Sequence, residues 1–427
     1  MAITDYRSDL SKRVQDFVLE GFMPRYDQVK PKLPTNPTWK RLRELGSELW
    51  LDSGDIDEIG KLWTQEFTAL TTNNTLLNKE VQKGIYDEFL ISASELLEEY
   101  PQLTDRERRL ELAFIVNARH ALRLVEEFDA FVSVEEHTDL ASDVEGSVNY
   151  ARRYFAICPE RFYVKIPFSA AGVLATRRVA REGIPVNHTL GFSARQNYLV
   201  ASIAKPAFVN VFLGRLNSFI VDNDMGDGEC VGERATIASQ QAIREVRRKE
   251  NSGTRQIAAS LRTGEQVRDL AGVDVLTIPT KVAKEFLDLK VPAEKLRDRT
   301  AESYDVHLNE DIDPDAAGVL TLWEVDDAVR IAVNELAKQD VDKMTADQLI
   351  DFLRSHSCGD LLYRWNQKQM QTSYAEGKIP DFPTWRGPLA EKKIGLDTLM
   401  NLAGWSSFAA DQKAMDERII GLLAGKR

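Results

Sequence analysis

The sequence predicts a single (β/α)8 barrel with an N-terminal helix and a helical C-terminal extension. Short β-rich runs alternate with amphipathic helical stretches, the pattern of βα units wrapped around a parallel sheet. Eight such runs occur, and no Gly-rich nucleotide turn follows the first, which favours a closed barrel over an open doubly wound sheet. At 427 residues the chain has room for a barrel and additions at both ends.

The elements follow in order. Leu10, Val14, Phe17 and Val18 fall on one helix face within 8–22, and Pro31, Pro34 and Pro37 then punctuate the chain. The β-rich runs lie at 48–53, 69–73, 129–135, 162–167, 185–191, 208–214, 255–261 and 273–279. Between them, 78–98, 105–127, 144–156, 170–181, 193–204, 235–249 and 263–271 read as helical. Beyond about 340 the character changes: Thr345 and Gln348 form a capping box for a helix through Phe352. Two more helices, 394–404 and 408–424, are set apart from it by a stretch containing Pro380, Pro383 and Pro388. This divides the chain into an N-terminal helical segment, 1–44, a barrel, 45–340, and a helical extension, 341–427. Trp365, Trp385 and Trp405 in the extension suggest that it packs on the barrel.

Composition excludes several classes. With 43% hydrophobic and 29% charged residues, neither disorder nor a collagen-like repeat fits. A net charge of −12 argues against a general nucleic-acid binder, while leaving room for a local basic pocket. Cys158, Cys230 and Cys358 are too few and too scattered for a disulfide framework or a cysteine-rich zinc site. The opening MAITDYRSDLSKRVQDF is charged where a leader peptide is apolar, and no long apolar run follows. The expectation is a cytoplasmic protein without nucleic-acid or membrane partners, for which homo-oligomerisation stays open.

Side chains alternate across a strand, so the polar residues within these runs can be assigned to faces. In FYVKIP, Lys165 shares a face with Tyr163 and Pro167. A lysine in the middle of a buried strand must be desolvated or paired, which suits a Schiff-base nucleophile as well as a buried ion pair. Asp52 ends the first run and Asn73 the second, and Glu135 ends the third with Ser133 and Phe131 on its face. Asn187 and Thr189 share a face of the fifth run, Asn210 and Phe212 one of the sixth, and the seventh runs into Ser260 and Arg262. Polar groups gathered at the carboxyl ends of barrel strands around one lysine mark an active site.

These runs, LWLDSG, LTTNNTLLNK, FVSVEEHTDLASDVEGSV, FYVKIPFSAAG, GIPVNHTLGFS, FVNVFLGRL and RQIAASLRTGEQVRDLAGVDVLTIP, resemble the transaldolase family in the same order across roughly 45–340. The resemblance implies a (β/α)8 Schiff-base enzyme that moves a dihydroxyacetone unit between sugar phosphates, with no metal and no cofactor. It makes Lys165 the Schiff-base lysine, Asp52 the proton-transferring aspartate, and Glu135 with Thr189 the pair that manages a water. It further implies Asn73, Asn187 and Asn210 in the pocket, and Arg215, Ser260 and Arg262 at the substrate phosphate. Phe212 bears on the reaction type, because the family's aldolases typically carry tyrosine there. Three positions depart from the family pattern: Asn74 for the usual proline, His188 for an apolar residue and Asn210 for the serine of many members. Rival readings are a fructose-6-phosphate aldolase-like enzyme of the same fold, a transaldolase-like enzyme of a specialised pathway, and a sugar-phosphate-binding protein that acts through its tail.

Weaker signals have plainer explanations. In DNDMGDGECVGE, Asp222, Asp224 and Glu233 have calcium-loop spacing, but Asp227 occupies the position that needs glycine, so a structural loop is expected. His137 is expected to be a solvated loop residue and His188 a hydrogen-bonded core residue; His120, His307 and His356 show no metal-ligand spacing. RERRLE at 106–111 and REVRRKE at 244–250 read as solvated helix faces.

Overall fold

Eight parallel strands pair in chain order, and the last closes on the first. They are β1 Glu48–Asp52, β2 Phe67–Thr71, β3 Phe131–Glu135, β4 Phe162–Pro167, β5 Val186–Thr189, β6 Phe208–Phe212, β7 Arg255–Ala259 and β8 Val275–Pro279. The computed structural model describes residues 3–24, 33–250 and 252–425; Pro31 lies outside them. Among the described residues no helix is long and apolar enough to cross a membrane.

Several boundaries differ from the sequence reading for local reasons. β2 stops at Thr71, and Asn73 caps the helix Asn74–Gln82 by accepting the Leu76 N–H at 2.9 Å. β5 and β7 end where Leu190 and Ser260 take left-handed φ values of 60° and 63°, so strand parity does not reach Ser260 or Arg262. β6 runs straight into an unanticipated helix, Leu213–Asp222, and the predicted 78–98 helix is two, Asn74–Gln82 and Asp87–Glu98.

The barrel interior is layered. Trp50, Phe131, Tyr163 and Phe208 form an aromatic plug, with Tyr163 stacked on Phe131 at 5.1 Å and on Trp50 at 5.6 Å. Below it Glu48 accepts from Trp50 Nε1 at 2.9 Å and Thr68 at 2.7 Å and pairs with Arg255, sealing the amino end. Two residues further along the strands the inward positions become polar. The register sets Glu135 beside Lys165 and Lys165 beside Asn187. One face thus carries both the plug and the polar layer above it.

The extension contains one continuous helix, Leu396–Ala424, where two were expected. Gly404, Ser406 and Ser407 weaken local propensity at the expected break, but all three are buried, and packing overrides propensity. The proline-bearing segment is also helical, Phe382–Ala390, with Pro383 in the first turn, where its missing N–H costs little. The Thr345–Gln348 capping box starts a helix as expected, Ala346–Ser355.

The long helix spans about 43 Å at 1.5 Å per residue and lies over the carboxyl end of the barrel. Its Asp397 takes a two-point ion pair from Arg195 at 2.7 and 2.8 Å, plus the Ser193 hydroxyl at 2.6 Å. Asn401 donates to the Leu190 carbonyl, Asp411 accepts from Thr75, and Arg418 pairs with Asp87 at 2.7 Å. Each bond reaches a barrel loop or helix, from the β5 side across to the β2 side.

Two expectations of solvent exposure fail here. His137 is buried, accepting the Asp139 N–H on Nδ1 and facing Asp416 of the long helix through Nε2 at 3.2 Å. Glu111, in the supposedly solvated 106–111 face, is buried and forked by Arg153 at 2.6 Å. The 244–250 run keeps its solvated face: Arg248 and Lys249 are exposed, and the half-buried Arg247 pairs with Asp274. His188 is the expected core histidine: it bonds Thr176 Oγ1 at 2.9 Å, and burial lowers its imidazole to about 3.

Candidate active site

Lys165 owes its position to β4, whose inward face carries Tyr163 in the plug and Lys165 one level above. The side chain is buried; Nζ donates to the Thr72 carbonyl at 3.2 Å and lies 3.4 Å from Glu135 Oε2. The same carboxylate oxygen accepts the Asn74 N–H at 3.3 Å. A proline at position 74 has no N–H to give, so the departure from the family pattern adds a hydrogen bond to Glu135.

Two carboxyls flank the lysine at different levels. Burial raises Asp52 to about 6, against the pull of Lys165, Arg262 and Lys79. Burial also raises Glu135, with Asp52 adding to the rise, while Lys165 and the Asn74 N–H hold it down. The neighbouring Glu136 is raised to about 8, chiefly by burial, and bonds the Ser147 hydroxyl at 2.6 Å. Thr189 is fully buried, and its hydroxyl has no hydrogen-bond partner among the described residues. A buried hydroxyl left open above a lysine and a carboxylate can hold a water or a substrate hydroxyl.

The asparagines divide into two roles. Asn187 donates to Ser133 Oγ at 3.0 Å and accepts from Asn210 Nδ2 at 3.0 Å. Asn210 also donates to the His188 carbonyl at 3.1 Å and accepts the Gly191 N–H at 3.2 Å. Its amide is therefore occupied as a clamp on the β5–β6 junction. Asn73 has its oxygen engaged in the helix cap, while its amide nitrogen remains available at the mouth.

Opposite Lys165 stands the cationic wall. Arg215 is buried, and its Nη1 has no hydrogen-bond partner among the described residues. Burial, then the like charge of Arg262, lower its guanidinium to about 10. Gly214 permits this closeness: a Cβ there would lie 2.2 Å from the Ser260 carbonyl and 2.6 Å from Arg262 Cγ. Arg262 itself is exposed at the rim.

One cavity of about 180 Å³ joins these groups. Asp52, Asn73, Lys165, Asn187, Thr189 and Asn210 line it, as do Phe212, Arg215, Ser260 and Arg262, with Glu135 reaching it through Lys165. The sequence reading missed its outer wall, Phe408 and Lys378 of the extension. The Phe408 ring centre lies 5.7 Å from Lys165 Nζ and 5.4 Å from Arg215 Cζ, and 6.4 Å from the Phe212 ring. Strand periodicity, the signal that found the rest, does not exist in the extension.

The calcium-like spacing at 222–233 is structural: Glu233 accepts from Asn217 at 3.0 Å and Gln266 at 2.7 Å. Among the described residues no group of three or more His, Cys, Asp or Glu could hold a metal ion.

A closed parallel barrel with a buried lysine, flanking carboxyls and unpaired arginines at the carboxyl ends of its strands has the make-up of a barrel enzyme. A sequence profile of the transaldolase/fructose-6-phosphate aldolase family matches residues 49–343. A transaldolase of Protochlamydia amoebophila is 28% identical over 245 residues, covering 56% of this chain and 74% of its own. A transaldolase of Chlamydia muridarum is 30% identical, covering 62% of this chain and 81% of its own. A probable transaldolase of Thermus thermophilus is 32% identical, covering 56% of this chain and 90% of its own. The chain belongs to the transaldolase/fructose-6-phosphate aldolase family and is an enzyme of the transaldolase kind. Membership implies sugar-phosphate substrates. Phe408 and Lys378 lie beyond the matched residues.

Proposed function

We propose that this enzyme transfers a dihydroxyacetone unit from fructose 6-phosphate or sedoheptulose 7-phosphate to erythrose 4-phosphate or glyceraldehyde 3-phosphate, through a Schiff base on Lys165. The observation that carries this reading is the buried, unpaired Arg215 in the same cavity as Lys165. A buried cation without a carboxylate is costly, and an anionic group of the substrate offsets that cost.

The residues then take these roles. The neutral Lys165 amine adds to the C2 ketone, and the carbinolamine loses water, with Glu135 moving the proton through a water held at Thr189. Asp52 takes the proton of the C4 hydroxyl as the C3–C4 bond breaks and the aldose phosphate leaves. The electron pair passes into the iminium and stays as an enamine until the acceptor aldehyde arrives. Asn73 and Asn187 steady the sugar hydroxyls, while Arg215, Ser260 and Arg262 hold the phosphate. We further place the enzyme in the cytoplasm and the pentose phosphate pathway, which the sugar-phosphate substrates support.

Transfer is favoured over free cleavage because the enamine faces apolar walls. Phe212 and Phe408 donate no hydrogen bond, and both Asn210 Nδ2 hydrogens are engaged, so on this side of the cavity, away from Glu135 and Thr189, no donor positions a water to protonate the enamine. The test is release of glyceraldehyde 3-phosphate from fructose 6-phosphate with and without erythrose 4-phosphate. Acceptor should accelerate release at least about tenfold, equivalent to 1.4 kcal/mol between the two fates. Fast release indifferent to acceptor would make the enzyme an aldolase.

A further inference from the structure

We infer that Lys378 is a third cation of the phosphate-binding wall, supplied by the C-terminal extension and acting beside Arg215 and Arg262. This rests on the phosphate reading above. Lys378 lines the cavity that holds both arginines, and it follows the helix Gln367–Glu376 of the extension. Among the described residues it has neither a hydrogen-bond nor an ion-pair partner. Many surface lysines of this acidic protein do have one, as with Lys83 on Glu80 and Asp55, or Lys392 on Asp315.

The loop carrying it is held at both ends. Gly377, at φ +84°, ends the helix while its N–H still reaches the Ser373 carbonyl at 3.1 Å. A side chain at that φ is strained, so glycine is what allows the chain to turn here. Asn223 then grips the far side, donating to the Pro380 carbonyl at 3.0 Å and accepting the Phe382 N–H at 2.7 Å. Asn223 caps Leu213–Asp222, the helix that carries Arg215. One short element thus positions the buried arginine and tethers the lysine loop.

Three like charges facing one cavity repel, as Arg262 already does to Arg215. A phosphate dianion removes that repulsion, and an exposed lysine at the rim adds a point charge without geometric demand. The ligand class is a phosphate monoester at the end of a sugar chain.

Inorganic phosphate binding by titration calorimetry tests this without turnover. The full-length enzyme should bind phosphate, and Arg215→Ala should lose most of that affinity. Lys378→Ala should weaken binding by about threefold to fivefold, the range for an exposed charged contact, and Lys378→Arg should restore it. In turnover, Lys378→Ala should raise KM for fructose 6-phosphate by a similar factor, with kcat and the KM for unphosphorylated fructose within twofold. Wild-type affinity in Lys378→Ala alongside lost affinity in Arg215→Ala overturns the inference and leaves the phosphate reading standing. Failure of the wild type to bind phosphate overturns both.

Discussion

At the residue scale the site is a contrast between two carboxyls. Glu135 is held by a lysine and a backbone N–H, whereas Asp52 accepts no hydrogen bond among the described residues and is raised to about 6 by burial. A base must be ionised to accept the C4 hydroxyl proton, so in the proposed role Asp52 would work above its midpoint and fail below it. The plot of kcat/KM against pH should therefore show an acid limb near pH 6, falling about tenfold for each further unit. Asp52→Asn should remove nearly all cleavage activity, and with it the limb. A profile flat from pH 5 to 7 would take the base role from Asp52. Parity reached this level of detail for Lys165, Glu135 and Asn187, because strands alternate strictly and each interior position lies on a strand. It failed for Ser260, whose left-handed φ lies past the end of β7, and it could not show that Asn210 spends its amide on the β5–β6 junction.

At the element scale the helix Leu396–Ala424 does what no barrel strand can, because it crosses the mouth from above. The Arg195–Asp397 pair anchors its start, and neither group can be left alone in the interior without a large penalty. From that anchor Phe408 falls over Lys165 and Arg215. Removing the ring should admit water to the enamine. Phe408→Ala is expected to raise acceptor-free release of glyceraldehyde 3-phosphate by at least about threefold and to lower transfer to erythrose 4-phosphate. Both rates come from one coupled assay, and circular dichroism confirms that the barrel persists. Unchanged partitioning between water and acceptor would mean that Phe212 alone keeps the site dry.

At the scale of the whole molecule, the barrel was legible and the roof was not. Alternating runs, parity and motif order all report one repeating unit, and errors in strand ends leave the closed order unchanged. The extension has no repeat. Its position depends on long-range pairs such as Asp416 with His137 and Asp411 with Thr75, whose members look like ordinary surface residues in sequence. For the same reason His137 and Glu111 were expected in solvent, although helices from elsewhere bury them. What unites barrel and roof is Lys165, and the most direct measurement is to trap its adduct. Borohydride added with fructose 6-phosphate should attach a reduced dihydroxyacetone unit to the peptide containing Lys165, and Lys165→Ala should lose both label and turnover while staying folded. Label on a different lysine, or turnover surviving in Lys165→Ala, would contradict the account.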